Sequence, residues 1–64
     1  MSSFIKNVES YCKENKLNDR QFEIKCNLAN GTIRNWRKGN EPKITTVMRV
    51  SQATGVPVEK WVEE

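Results

Sequence analysis

A chain of 64 residues is expected to hold one domain, spanning 1–64, and a domain this small hides only about 60% of the surface its unfolded chain exposes, which leaves no room for a deep catalytic cavity. A hydrophobic fraction of 36%, a charged fraction of 30%, and only three Gly and two Pro speak against disordered or fibrous classes and for a small globular domain. The net charge of +3 is spread unevenly, with +1 on residues 1–29, +4 on residues 30–49 and −2 on residues 50–64. Such a concentration suits a surface that meets a polyanion, although a mildly basic segment is also ordinary solvated surface.

Two cysteines, Cys12 and Cys26, and no histidine cannot assemble a zinc site, and no cofactor is expected. Both are expected to act as small buried hydrophobes, reduced in a cytoplasmic setting. The opening Met1-Ser2-Ser3-Phe4-Ile5-Lys6 turns charged at once and does not read as a secretory signal.

In chain order, Ser2 and Ser3 are expected to cap a first helix whose apolar residues Phe4, Ile5, Val8, Tyr11 and Cys12 recur at helical spacing. It should run to Asn15 or Lys16. After Leu17, Asn18 suits the N-cap of a second helix with Asp19 in its first turn, Phe22 and Cys26 inward, and Ile24 off that stripe. A three-residue break, Asn27-Leu28-Ala29, leads to a third helix over Asn30–Lys38. There Ile33 and Trp36 share an inward face while Asn30, Gly31, Arg34 and Asn35 point elsewhere. Gly39 is expected to end that helix in the left-handed conformation, and Asn40-Glu41-Pro42 to form a loop. A fourth helix carries Ile44, Val47, Val50 and Ala53 inward and stops at Gly55. Past Val56-Pro57-Val58, a short fifth helix returns Trp61 and Val62 to the core, while Glu63 and Glu64 have few obligations. The expected fold is all-α, a compact five-helix cluster.

The outward residues of the third helix are the chemical content of this pattern. Amides and a guanidinium are the groups that bond base edges in a DNA major groove, and Arg37 and Lys38 follow where a phosphate would lie. Helix, short turn and second helix is the layout of a helix-turn-helix, though helical hairpins also serve packing alone. Trp36, three residues from Ile33, reads as core.

Over essentially its whole length the chain resembles the Cro and repressor helix-turn-helix domains of phages, grouped with the xenobiotic response element regulators. The resemblance rests on Val8, Leu17, Phe22, Leu28, Thr32-Ile33, Trp36, Gly39, Pro42 and the closing Gly55-Val56-Pro57-Val58-Glu59-Lys60-Trp61-Val62. It implies a five-helix domain of the phage repressor type that places its third helix in the major groove, usually as a dimer on a two-fold operator. By position it assigns base contacts to Asn30, Gly31 and Asn35, and contacts to bases or phosphate to Thr32 and Arg34. Lys38, Asn40 and Lys43 match the loop that follows the DNA backbone, and Arg20 can reach a phosphate as well.

Three departures from the family pattern carry expectations of their own. Ala29 stands where many members have a capping hydroxyl, so the third helix is expected to lack a side-chain cap, at a cost of about 1 kcal/mol. Asp19 stands where a phosphate-contacting neutral residue is common and would repel DNA unless Arg20 or Asn18 substitutes. Cys12 and Arg37 replace a basic and acidic pair that joins the first helix to the third, and Glu23, where a small residue is usual, is expected to pair with Arg37 instead.

The resulting expectation is a sequence-specific DNA-binding transcriptional regulator, a Cro-like repressor of a phage or prophage, acting on a double-stranded operator. A homodimer would form through the fourth and fifth helices, in solution or on DNA alone. The alternative is a protein-interaction module on the same fold, an antirepressor or antitoxin component, kept open by the modest charge, Asp19 and Ile24. An enzyme is not expected, since there is no His, no nucleophile with a base and no phosphate-cradling glycine loop.

Overall fold

The computed structural model describes residues 4–62; the expected Ser2/Ser3 cap and the terminal Glu63 and Glu64 lie outside them. Among the described residues the chain forms five α-helices: α1 (Phe4–Glu14), α2 (Asp19–Lys25), α3 (Thr32–Arg37), α4 (Ile44–Thr54) and α5 (Val58–Val62). The all-α five-helix expectation holds. None of these helices is long and apolar enough to cross a membrane.

Each helix is held by the stripe its spacing dictates. Phe4, Val8 and Cys12 on α1, Phe22 and Cys26 around α2, Ile33 and Trp36 on α3, Val47 and Val50 on α4, and Trp61 on α5 meet in one core. α1 packs against α3 and α5, α2 against α3, and α4 against α5. Trp61 joins these layers, its ring centroid lying 5.5 Å from Tyr11, 5.9 Å from Phe4 and 6.1 Å from Phe22. Asn7 Nδ2 donates to the Trp61 carbonyl at 2.7 Å, which fixes the last turn of α5 on α1. Trp36 is core, as its spacing requires, with Phe4 edge-on to it at 4.9 Å. Both cysteines are buried free thiols, and burial pushes the Cys26 thiol up to about 11, so they pack rather than react.

Two inward assignments need correction. Ile44 is 63% exposed, because residues spaced by three turn about 60° backwards per step on a 3.6-residue helix and a stripe centred on Val47 and Val50 has rotated away from Ile44. Val62 is 51% exposed, since its neighbour Trp61 takes the single inward position at the end of a five-residue helix.

The first three helices stop by one device. α1 ends at Glu14, a residue or two earlier than expected, because Lys16 turns left-handed at φ 57° and the Leu17 amide reaches back to Cys12 O at 2.8 Å. α2 repeats the motif with Asn27 at φ 58° and Leu28 N to Glu23 O at 2.7 Å. α3 does so with Gly39 at φ 105° and Asn40 N to Asn35 O at 3.2 Å. In each case the residue after the left-handed one closes a six-to-one bond of the Schellman type, and half-buried Leu17 and Leu28 follow the first two stops. Asn18 caps α2 as expected: its side chain accepts from Gln21 N at 2.7 Å, while Gln21 Oε1 accepts from Asn18 N at 2.8 Å.

Lys16 is the least suitable of the three residues for a left-handed backbone, because a Cβ there crowds the following carbonyl. Lys16→Gly is expected to raise the unfolding free energy by about 0.5–1 kcal/mol in urea titrations. An unchanged or lowered midpoint would show that Lys16 makes a compensating contribution through its side chain.

Candidate functional site

The expected helix over Asn30–Lys38 is shorter than the pattern implied. Gly31 stands at its N-cap with φ 89°, a left-handed conformation that excludes it and Asn30 from the helix, and Lys38 is the C-cap. The turn is closed by Thr32, whose amide and hydroxyl both donate to Ala29 O at 3.2 and 2.6 Å. The connection between α2 and α3 therefore runs over residues 26–31, not the three residues Asn27-Leu28-Ala29.

Within that frame the outward residues follow from helix geometry. With Ile33 and Trp36 buried, the opposite face carries Arg34, Asn35 and Lys38, and Gly31 sits one turn before Asn35, its carbonyl accepting from Asn35 N at 3.1 Å. Asn30, Arg34, Asn35, Lys38, Asn40, Lys43 and Arg20 are exposed; Gly31 and Thr32 are half-buried, and the Thr32 hydroxyl hydrogen is already committed to the turn. Arg34, Lys38 and Lys43 make no ion pair among the described residues, so no carboxylate offsets their charges at close range.

Arg37 is different, and its expected pairing with Glu23 is not what forms. Its Nε donates to Glu9 Oε2 at 2.8 Å, and its Nη2 donates to Asp19 Oδ1 at 3.0 Å while Nη1 bonds Oδ2. The guanidinium thus bridges α1, α2 and α3. The arrangement restores a tie between the first and third helices with the charges exchanged, and it also covers Asp19, a task expected of Arg20 or Asn18. Hydrogen bonding to Arg37 holds the Asp19 carboxyl below the usual range, and the same bonds, first to Asp19 and then to Glu9, raise Arg37. Arg37 is consequently engaged where a phosphate contact had been expected.

The helix does lack a side-chain cap, but the N-cap position is Gly31 and not Ala29, and Glu23 supplies an acceptor in its place. Only 2% exposed, it points Oε2 at the Ile33 amide at 3.1 Å and Oε1 at Arg20 Nη1 at 3.5 Å. The second amide of α3 is thereby satisfied from across the turn, in place of the missing N-cap side chain. Sequence reasoning also left Arg49 unassigned. It comes from α4 to the α2–α3 turn, its Nη1 3.5 Å from Asn27 O, and brings a cation to that turn. Its place in the +4 segment was the sole available signal.

Two consequences are measurable. Glu23→Ala should cost about 1–2 kcal/mol of stability, from the lost cap and an unsatisfied amide, and a double-mutant cycle with Arg37→Ala should give a coupling near zero. A large coupling would restore the Glu23–Arg37 pair. The Arg37 bridge is half-exposed and so is worth about 1 kcal/mol near neutral pH. Because Asp19 is depressed in the folded chain, its share is present above the ordinary carboxyl value of about 3.9 and is lost as pH falls below that and through the folded value. The stability gap between wild type and Arg37→Ala should therefore narrow below about pH 4. A gap constant with pH would mean that Arg37 acts by packing.

Against protein-family models, curated proteins and solved structures the chain gives no match, so the role of this surface is argued from its residues and geometry.

Proposed function

We propose that the protein is a sequence-specific DNA-binding transcriptional regulator, a Cro-like repressor of a phage or prophage working in the cytoplasm, and that α2, the turn and α3 act as a helix-turn-helix. The observation that carries this reading is the outward face of α3, where Arg34, Asn35 and Lys38 stand exposed behind two fully anchored core residues, Ile33 and Trp36. Asn35 can present a donor and an acceptor together to adenine, and Arg34 can fork onto guanine, each pair contributing about 1–3 kcal/mol of discrimination. Asn30 and Gly31, in the turn just before α3, supply an amide and an unobstructed backbone at the end of the helix that enters the groove first. Arg20, Lys38, Asn40 and Lys43, joined by Arg49, meet phosphates. The resemblance to phage repressor domains supports the same assignment, as does the covering of Asp19 by Arg37, which removes the repulsion that residue would otherwise exert.

On a two-fold operator the homodimer contact would come from α4 and α5, whose exposed Ile44, Met48 and Val62 offer apolar surface. The same residues favour a second reading, an antirepressor or antitoxin component that grips a protein through that surface.

Selection of bound duplexes from a random pool at two salt concentrations separates the two. The expected outcome is an enriched two-fold site whose preference changes at defined base pairs in Asn35→Ala, with affinity falling against salt at a log–log slope of about −0.9 per phosphate neutralised. Enrichment of no sequence, with weak binding at low salt alone, would discard the operator reading in favour of a protein partner.

A further inference from the structure

We propose that Glu23 is the positioning residue that sets the register between the phosphate grip and the base-reading face, an inference that rests on the DNA-binding reading above. Its two carboxylate oxygens are divided between the two parts of the interface. Oε2 holds the Ile33 amide, and with it the first turn of α3, while Oε1 faces Arg20, the phosphate-contacting candidate on α2. Its own carbonyl accepts from Leu28 N at 2.7 Å, so the same residue also stops α2 and starts the turn. One side chain and its backbone therefore connect the end of α2, the intervening turn, the start of α3 and Arg20.

The energetics make this link decisive for readout and not for stability alone. α3 has six residues, and a helix of that length does not persist by its own hydrogen bonds. Gly31 provides no side chain to cap it. Base readout depends on hydrogen-bond geometry that phosphate contacts alone do not fix. A negative charge beside a DNA-facing surface opposes phosphate binding, so it weakens non-specific association if it does anything there. Loss of the geometric link lowers specific affinity while loss of the charge raises non-specific affinity, so the two effects have opposite signs and are separable.

The test compares wild type, Glu23→Gln and Glu23→Ala on two duplexes, the site selected from the random pool and a scrambled sequence of equal length, below the thermal midpoint of each variant. Glu23→Gln keeps the volume, but its single carbonyl oxygen can serve either Ile33 or Arg20, not both. The expected result is a fall of about tenfold or more in the ratio of specific to scrambled affinity, with scrambled affinity unchanged or raised. The exchange of the Ile33 amide hydrogen, read without DNA, should accelerate in Glu23→Ala. An unchanged ratio in folded Glu23→Gln, or equal losses on both duplexes, overturns the positioning role while leaving DNA binding intact. Failure of wild type to select any site overturns both, and Glu23→Gln decides the matter if Glu23→Ala does not fold.

Discussion

A six-residue helix does not persist by its own hydrogen bonds, and α3 is held by the burial of Ile33 and Trp36 together with the contact of the Glu23 carboxylate with the Ile33 amide. Burying a carboxylate costs more than burying a neutral group unless its oxygens are bonded, and here one is bonded to the amide and the other faces Arg20. The contact joins α2 to the first turn of α3. Ile33 and Trp36 enter the core together, and the opposite face is left to Arg34, Asn35 and Lys38. Removing the carboxylate would leave that donor without its side-chain acceptor.

The cations differ in whether a carboxylate engages them, and Arg20 faces Glu23 at 3.5 Å. Arg37 is committed inwards, bridging Glu9 and Asp19, so one guanidinium ties three helices at their rim where the hydrophobic core no longer reaches. Arg34, Lys38 and Lys43 make no such bridge among the described residues. Charge counting along the chain treats all of them alike, which overstates the basic footprint by one and leaves Asp19 looking more repulsive than it is. The neutralisation of Asp19 is achieved by a residue eighteen positions away, from a helix that meets α2 through the core.

The helix stops were partly legible. Gly39 and Gly55 announce left-handed positions by composition, whereas Lys16 does not, and nothing in its side chain requires that conformation. The stop falls there because Leu17 must turn back towards the core and its amide finds Cys12 O, so the tertiary packing of a leucine overrides the preference of a lysine. Similarly, the polar pattern extends the helix back to Asn30, but the left-handed Gly31 and the bonds from Thr32 to Ala29 place the boundary two residues later.

By itself the sequence determined the class, the number and order of the helices, the Asn18 cap, the burial of both cysteines and the anchoring of Trp36. These follow from apolar spacing and local hydrogen bonding, which act within a few residues and are readable in one dimension. It likewise placed Arg34 and Asn35 outward, because two buried neighbours on a short helix leave little choice. The tertiary structure alone decided the partners of the charged residues. Glu23 could have met Arg37, and Arg37 could have stayed free, until the packing of α1, α2 and α3 brought Glu9 and Asp19 to one guanidinium and the Ile33 amide to Glu23. Long side chains choose partners by distances between helices, and those distances are set by the core as a whole rather than by any segment of the chain.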